Sequence, residues 1–323
     1  MSAHALDKDL DAVAVSARAE LVRAIGLSGA WDADPGWRAA FASVPRHLFV
    51  PYYYVGAVDG NGYERLWGGS PDPRTRERWL RGVYADVPLA TRLRDGELVS
   101  SSSQPSLMAR MLAELRVADG ARVLEIGAGT GYNAALLAHR LGDGLVTTVD
   151  LEPEITESAR IHLAAAGHRP TVVTGDGSRG VPEHAPYDRI IATCALTSIP
   201  RAWPAQCVPG ARILAPLATG LIALTVHDAT HAEGTFLNTA AYFVPLRGTE
   251  PTSPTEIPHR PGDHELLRFL LTLTHGTLAP QDARDLWERE GRPGRERYGI
   301  TLAGEQAWAW LDAPESPHTW PLR

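Results

Sequence analysis

Cysteine and lysine are scarce in this 323-residue chain. Its two cysteines, Cys194 and Cys207, are too far apart for a Cys-x-x-Cys motif and have no histidines at zinc-finger spacing. We therefore expect no disulfide framework and a reduced, cytoplasmic setting. Lys8 is the only lysine, and the arginines form no basic block. A nucleic-acid partner is therefore not expected.

The chain also lacks long hydrophobic runs. No stretch approaches the length of a transmembrane helix, and the polar residues Met1–Asp11 contain no apolar segment of a signal peptide. A soluble protein without a membrane partner is the simplest interpretation. The length allows a full α/β domain plus a smaller appendage, and the net charge of -7 is ordinary for a globular protein. The sequence does not indicate an oligomeric state.

The most informative stretch runs from Arg122 to Asp150. An apolar strand, Val123–Ile126, leads into Gly127-Ala128-Gly129-Thr130-Gly131, and an Ala/Leu-rich helix follows. A second strand, Leu145–Val149, ends on Asp150. A parallel strand pair joined by a crossover helix brings this acid beside the glycine turn, where it can accept hydrogen bonds from both ribose hydroxyls. The stretch therefore predicts a nucleoside site.

The spacing of the glycines narrows the choice of nucleoside. A dinucleotide-binding fingerprint needs glycine at the sixth position of G-x-G-x-x-G, where this chain has Tyr132. A nicotinamide dehydrogenase is therefore disfavoured. Glu125 precedes the turn and would repel a pyrophosphate, but it suits the ammonium and sulfonium groups of S-adenosylmethionine. The alternative, that the turn is only structural, does not explain why Glu125 and Asp150 flank it.

Helical and strand-like patterns alternate along most of the chain. Apolar spacing predicts helices at residues 12–25, 35–42, 107–115, 154–166 and 204–207. Further runs predict strands at 171–174, 188–193 and 212–217, and hairpins pairing 84–89 with 97–99 and 221–226 with 235–244. This alternation indicates a parallel sheet that ends in the second hairpin. Tyr52–Arg81, rich in glycine, arginine and tryptophan, predicts an irregular surface insertion or a binding lid.

The composition changes after Gly248. Residues 249–262 contain four prolines and no periodicity, which predicts a linker. Two helical patterns follow, at 264–273 and 280–290, and then a strand pair at 298–302 and 307–311. We therefore predict two domains, residues 1–248 and a small C-terminal α+β module within residues 249–323.

Several motifs resemble the protein-L-isoaspartate O-methyltransferase family in order and spacing. Together they span roughly Glu20 to Gly248, and they are Val44–Pro51, Tyr84-Ala85-Asp86, Ser103-Gln104-Pro105, Val123–Tyr132, Gly175-Asp176-Gly177 and Phe243–Leu246. The resemblance implies a class I, Rossmann-like, seven-stranded α/β methyltransferase fold that follows an N-terminal helical and hairpin segment. It also implies S-adenosylmethionine as the cofactor and no metal.

The resemblance also assigns roles to individual residues. Ser103 matches the serine between the methyl donor and the acceptor carboxylate, and Asp176 matches the residue that binds the adenine amino group. The implied cofactor-binding residues are Glu125, Gly127, Ala128, Gly129, Thr130, Gly131, Asp150, Leu151, Gly175, Asp176 and Gly177. The implied substrate-binding residues are Ser102, Gln104, Val87 and Pro88. Asp150 replaces the glutamate that is common in the family, and the serines before residue 107 suggest a helix N-cap region.

The chemistry implied by the resemblance is a single methyl transfer. A peptide carboxylate with a pKa of ~4 is ionised at neutral pH and needs no general base. A serine hydroxyl, such as that of Ser103, can donate a hydrogen bond to the acceptor oxygen and orient it. We therefore predict a carboxyl O-methyltransferase acting on an aspartyl or isoaspartyl residue of a peptide or protein. The ester then collapses through a succinimide.

The added segments at 52–81 and after 248 resemble those of actinobacterial methyltransferases that modify ribosomally made peptide natural products. We therefore favour peptide tailoring over general isoaspartate repair, because segments that flank a cleft can bind one partner specifically. A non-catalytic peptide-binding module is the alternative from another class. His227, Asp228 and His231 suggest a turn rather than a metal site. Cys194 suggests a small buried residue rather than a nucleophile.

Overall fold

The structure is a computed structural model, and it describes residues 3–56, 62–247, 264–274 and 277–322. The chain forms two compact units, one of residues 1–120 and 128–174 and one of residues 121–127 and 175–323. The helices are α1 (Ala3–Gly26), α2 (Pro35–Ser43), α3 (Pro73–Val83), α4 (Pro105–Leu115), α5 (Tyr132–Leu141), α6 (Pro153–Ala165), α7 (Ala202–Ala205), α8 (Glu265–Leu273) and α9 (Pro280–Arg289). The strands are β1 (Tyr52–Gly56), β2 (Tyr63–Trp67), β3 (Leu89–Arg94), β4 (Glu97–Ser102), β5 (Val123–Ile126), β6 (Val146–Asp150), β7 (Thr171–Thr174), β8 (Tyr187–Ala192), β9 (Cys207–Leu217), β10 (Gly220–Val226), β11 (His231–Ala240), β12 (Tyr298–Ala303), β13 (Gln306–Leu311) and β14 (Thr319–Pro321).

The first unit contains an antiparallel sheet with the strand order β2-β1-β3-β4. The predicted hairpin is present as β3 and β4, because Asp95 and Gly96 both adopt the positive φ angles of a tight hairpin turn. Its first strand begins at Leu89 instead of Tyr84. Tyr84 is the C-cap of α3, so the prediction was wrong there.

The prediction of an irregular segment at Tyr52–Arg81 is also wrong. β1 pairs with β2 from Tyr52 opposite Trp67 to Gly56 opposite Tyr63, and α3 follows. The side chain of Asp72 caps α3 by accepting hydrogen bonds from the backbone N–H groups of Arg74 and Thr75. Only three side chains of α3, Trp79, Leu80 and Val83, are buried, and most of its other residues are polar.

The first unit also contains the strand that ends on Asp150. β6 is buried along its whole length and pairs in parallel with β7, from Thr147 opposite Thr171 to Asp150 opposite Thr174. α6 connects the two strands, as the sequence predicts. α5 precedes β6 and is buried from Tyr132 to Ala138.

The second unit contains a mixed sheet with the order β14-β13-β12-β11-β10-β9-β8-β5. β5, β8 and β9 are parallel, which confirms an α/β arrangement, and the remaining pairs are antiparallel. β9 begins at Cys207 instead of Arg212, because Pro209 and Gly210 gave its first half the sequence of a turn. The short helix lies at Ala202–Ala205 and ends before Cys207.

The C-terminal strands extend this same sheet. β12 pairs with β11, so the β10–β11 hairpin does not end the sheet and the predicted count of seven strands is not confirmed. Phe269 of α8 packs between Phe236 of β11 and Tyr298 of β12, with ring centroids 4.9 and 5.4 Å apart. The predicted linker at 249–262 and the boundary at Gly248 lie outside the described residues. In the part of the chain that is described, no helix is long and apolar enough to cross a membrane.

Candidate active site

Asp150 and the glycine turn are in direct contact in the first unit. Oδ2 of Asp150 accepts a hydrogen bond of 3.1 Å from the backbone N–H of Gly129. The N–H of Ala128 donates to the carbonyl of Val149, also at 3.1 Å. Asp150 therefore lies beside the glycine turn, as the sequence predicts. The end of β6 contacts the turn through both the carbonyl of Val149 and the carboxylate of Asp150.

The turn depends on glycine at the start of α5. Gly131 is the N-cap residue of α5 and has φ 86°, a conformation that side chains with a Cβ rarely adopt. A Cβ at Gly131 would lie 3.3 Å from the carbonyl oxygen of Ala159 in α6. The close approach of turn and helix therefore leaves little room for a side chain.

An open cleft lies beside the turn in the first unit. Its lining residues are Phe49, Pro51, Tyr52, Thr91, Arg92, Ser100, Gly129, Thr130, Ile155, Ser158 and His162. Nδ1 of His162 is 3.0 Å from the carbonyl oxygen of Thr130, and burial lowers the pKa of His162 below its usual value. A neutral ring whose Nδ1–H donates to Thr130 fits both observations. Of these lining residues, the sequence analysis assigned a ligand-binding role only to Gly129 and Thr130, and it placed Phe49 and Pro51 in a family motif.

Arg46 organises the segment that contains Ser103. Its side chain is fully buried, and its guanidinium donates to the carbonyl oxygens of Ser103 at 3.0 Å and Ser102 at 3.4 Å, and to Oγ of Ser102 at 3.3 Å. It also donates to the carbonyl oxygens of Val83, Ala85 and Val87, at 2.7, 3.2 and 3.3 Å. The Arg46 side chain is thus hydrogen-bonded to Ser103 and to two predicted substrate residues, Val87 and Ser102. The sequence singled out Arg46 only as part of a motif.

The cap of α4 comes from a distant residue. The predicted cap by the serines is wrong, because Ser100, Ser101 and Ser102 belong to β4 and the N-cap residue Gln104 makes no side-chain cap. Oδ1 of Asp86 instead accepts from the N–H of Ser106 at 2.8 Å. Oδ2 of Asp86 accepts from Nε2 of Gln104 at 3.3 Å.

The exposure of the predicted substrate residues differs. Val87 and Pro88 are exposed, whereas Ser103 and Gln104 are half-buried. Leu151, which follows Asp150, is also half-buried. A ligand can therefore reach the predicted acceptor side of this segment.

The other predicted cofactor residues lie in the second unit. Glu125 is fully buried in β5, and Gly127, with φ 96°, accepts a hydrogen bond of 2.7 Å from the hydroxyl of Thr193. The loop of Gly175, Asp176 and Gly177 follows residue 174. Oδ1 of Asp176 accepts from the N–H and the hydroxyl of Ser178, at 2.9 and 2.8 Å.

The same loop has a buried support that the sequence did not reveal. The indole N–H of Trp203 in α7 donates to the carbonyl of Gly177 at 2.9 Å, and Trp203 is fully buried. A Cβ at Gly177 would lie 2.7 Å from Cγ2 of Ile126. Glycine is therefore required at residue 177 because the backbone passes close to β5.

The cysteines and the histidine pair, which the sequence offers as alternative reactive groups, lie in the second unit. Cys194 is buried, with its sulfur 3.9 Å from the carbonyl oxygen of Ile126. Burial raises the pKa of Cys207 to about 12, so it is a thiol at neutral pH. The rings of His227 and His231 pack against each other, with centroids 4.8 Å apart. Among the described residues, no group of three or more His, Cys, Asp or Glu side chains could hold a metal ion.

A glycine turn opening a helix, and an acid at the end of the next strand, together define the nucleoside-binding half of a class I methyltransferase. The family model described as protein-L-isoaspartate(D-aspartate) O-methyltransferase (PCMT) matches residues 75–250. A curated protein-L-isoaspartate O-methyltransferase 1 from Anaeromyxobacter sp. is 35% identical over 240 residues, which cover 72% of this chain and 97% of that protein. This chain therefore belongs to the protein-L-isoaspartate(D-aspartate) O-methyltransferase family, whose members use S-adenosylmethionine.

Other relatives match over shorter regions. A protein-L-isoaspartate O-methyltransferase from Thermotoga maritima is 41% identical over 145 residues, 44% of this chain and 45% of that protein. One from Aeropyrum pernix is 37% identical over 195 residues, 59% of this chain and 64% of that protein. The chain thus spans about half to two thirds of the length of these two relatives.

Solved structures support the fold. A structure entitled protein-L-isoaspartate O-methyltransferase has a TM-score of 0.63 and 22% identity, and the likeness covers 94% of this chain and 98% of that chain. A putative protein-L-isoaspartate O-methyltransferase from Plasmodium falciparum, in complex with S-adenosyl-L-homocysteine, has a TM-score of 0.50 and 14% identity over 71% of this chain and 97% of its own. The class I methyltransferase fold is therefore confirmed.

Proposed function

We propose that this chain transfers a methyl group from S-adenosylmethionine to the carboxylate of an isoaspartyl residue in a peptide or protein. The contact between Asp150 and the N–H of Gly129 is the observation that carries the proposal, because it puts a carboxylate beside the turn that opens α5. Family membership supplies the reaction class.

The residues of the first unit fit the nucleoside part of this cofactor. Asp150 accepts hydrogen bonds from the two ribose hydroxyls while Gly129 orients its carboxylate. Gly129 and Gly131 shape the turn beside it with φ angles of 50° and 86°, which residues with a side chain rarely adopt. S-adenosylmethionine supplies an electrophilic methyl group on a sulfonium. By resemblance to the family, Glu125 contacts the amino group of the methionine moiety and Asp176 the amino group of adenine.

The acceptor needs orientation more than activation. An isoaspartyl carboxylate is already ionised at neutral pH. The hydroxyl of Ser103 donates to one carboxylate oxygen and orients it toward the methyl donor. Holding two reactants in line in this way lowers the activation free energy by on the order of 7–11 kcal/mol in well-oriented systems.

Tailoring of one ribosomally made peptide is the second candidate. An aromatic face on the β1–β2 hairpin favours it, because the guanidinium of Arg65 lies 4.4 Å from the ring centroid of Tyr52 and 5.7 Å from that of Trp67. Such a face can bind a peptide through aromatic and cation–π contacts. The C-terminal segment does not favour tailoring, since a solved protein-L-isoaspartate O-methyltransferase covers nearly the whole chain in fold. General repair is therefore at least as well supported.

Matched peptides separate these functions. Each of several unrelated peptides is made once with L-isoaspartate and once with L-aspartate at the same position, and a cyclic precursor peptide is added to the panel. Repair predicts comparable methylation, followed by mass spectrometry, of every isoaspartyl peptide and none of the aspartyl twins. Turnover of the cyclic peptide alone would favour tailoring. Cofactor binding without turnover of any acceptor would indicate a binding module and contradict the proposal.

A further inference from the structure

Arg46 is a buried cation that holds several segments of the first unit together. Its side chain is 0% exposed, and its five carbonyl acceptors belong to residues between 37 and 57 positions away. Burial lowers the pKa of Arg46 to about 10, which leaves the guanidinium charged at neutral pH. Within residues 3–56, 62–247, 264–274 and 277–322, the hydrogen-bond acceptors of Arg46 are all neutral oxygens. Its charge is therefore not neutralised by a directly bonded carboxylate.

Two of these bonds act on the peptide units around Ser103. The carbonyl of Ser102 shares a peptide unit with the N–H of Ser103, and the carbonyl of Ser103 shares one with the N–H of Gln104. In a trans peptide the C=O and N–H bonds point in opposite directions, so these N–H groups face away from Arg46. A cation bonded to the carbonyl oxygen polarises the unit and makes its N–H a stronger donor.

The position of these N–H groups matches the needs of an anionic acceptor. Gln104 is the N-cap residue of α4, and the Asp86 carboxylate caps the first turn further along, at the N–H of Ser106. Ser103 is half-buried, and Val87 and Pro88 beside it are exposed, so a peptide can reach the segment. Ser103 Oγ and the two N–H groups together offer three donors within two consecutive residues.

We propose that Arg46 is a positioning residue for the acceptor carboxylate. It fixes the Ser102–Ser103 segment against the Val83–Val87 loop and polarises the peptide units whose N–H groups, with the Ser103 hydroxyl, bind the carboxylate. This inference rests on the proposed function. It adds that Arg46 promotes binding of the acceptor carboxylate without touching it.

Conservative substitution tests this role. Arg46→Lys keeps the charge but cannot reach all six oxygens, so we expect kcat to fall about 10- to 100-fold and KM for an isoaspartyl peptide to rise. Arg46→Met also removes the charge, and its kcat should fall further. The affinity for S-adenosylhomocysteine should change less than about twofold in both variants, since neither alters the Asp150 contact.

Arg295→Lys is the matched control. Arg295 is also a buried arginine, 4% exposed and bonded to Glu265 at 2.8 Å, but it belongs to the second unit. Its substitution should cost comparable stability and leave kcat unchanged. All variants are assayed well below their melting temperatures, and the folded fraction is followed by circular dichroism.

The outcomes distinguish the role of Arg46 from the reaction itself. Provided that the wild type is active, two results would overturn the role of Arg46. One is unchanged kcat and KM in Arg46→Lys, and the other is an equal loss of kcat in Arg295→Lys. If Arg46→Lys does not fold, Ser102→Ala replaces it, because this substitution removes one hydrogen-bond acceptor of Arg46. We expect kcat of Ser102→Ala to fall about threefold or more. Turnover within about twofold of wild type would overturn the proposal. A wild type that binds S-adenosylhomocysteine but methylates no isoaspartyl peptide contradicts the proposed function as well.

Discussion

At the scale of single residues, Asp150 combines a structural and a proposed binding role. Its carboxylate accepts from Gly129 and is 9% exposed. The sequence predicted this neighbourhood because strand, turn and crossover helix follow one another within 30 residues. It did not predict the contacts of Arg46 or the lining of the cleft by Thr91 and His162. Those contacts join residues that are distant in the chain, and no local pattern encodes them.

Asp150→Asn tests the role of this carboxylate. The amide can still accept from Gly129, but it accepts more weakly from ribose hydroxyls because its charge is lost. We expect the affinity for S-adenosylmethionine to fall about 10- to 100-fold by calorimetry, since hydrogen bonds to charged groups contribute ~1.5–3 kcal/mol. Asp143→Asn, which alters a carboxylate bonded to the N–H of Arg169, is the control. Unchanged affinity in Asp150→Asn would remove Asp150 from the cofactor site.

Ser103→Ala tests the hydroxyl proposed to orient the acceptor. We expect kcat to fall about 100- to 1,000-fold, as when one preorganised donor is lost from an active site. Binding of S-adenosylmethionine should persist. The neighbouring Ser101→Ala, on β4, should leave turnover close to wild type. Wild-type kcat in Ser103→Ala would exclude a catalytic role for this hydroxyl.

At the scale of elements, the best-predicted parts were those whose pattern is local and strong. β5, α5 and β6 have apolar runs punctuated by glycines, and Tyr298–Ala303 with Gln306–Leu311 form the expected strand pair around Gly304. The β1–β2 hairpin and α3 were missed because each of these elements buries few side chains. Their identity depends on the sheet formed with β3 and β4, which the local sequence does not specify.

The start of α5 gives a prediction about an element. Gly131→Ala puts a Cβ 3.3 Å from the carbonyl oxygen of Ala159 at a φ of 86°. We expect it to lower the free energy of unfolding by about 1–3 kcal/mol in chemical denaturation. Gly144→Ala has no neighbour within 4 Å of the added Cβ and should change stability by less than about 0.5 kcal/mol. Equal effects of the two substitutions would contradict a strained, crowded turn at Gly131.

At the scale of the whole molecule, the second unit joins two regions that the sequence separates at Gly248. The change in composition is real, but strand pairing between β11 and β12 crosses it. Composition indicates where a chain is irregular, and it does not indicate which strands pair across the irregular stretch. For this reason the sequence predicted β12 and β13 but neither β14 nor the pairing of β12 with β11.

A truncated chain tests whether the second unit needs its C-terminal strands to fold. Residues 1–247 would leave β11 as a ten-residue edge strand and expose Phe236, which packs on Phe269. We therefore expect this fragment to aggregate in size-exclusion chromatography and to lack a cooperative melting transition. Truncation after Pro317 removes only β14 and should leave a folded protein. A soluble, cooperatively melting fragment 1–247 would show that the C-terminal strands are dispensable.

The most direct test of the central claim is a crystal structure of the wild type with S-adenosylhomocysteine. We expect both ribose hydroxyls within hydrogen-bond distance of the Asp150 carboxylate, and the sulfur facing the hydroxyl of Ser103. A nucleoside bound away from Asp150, or a sulfur that faces away from Ser103, would contradict methyl transfer at this site.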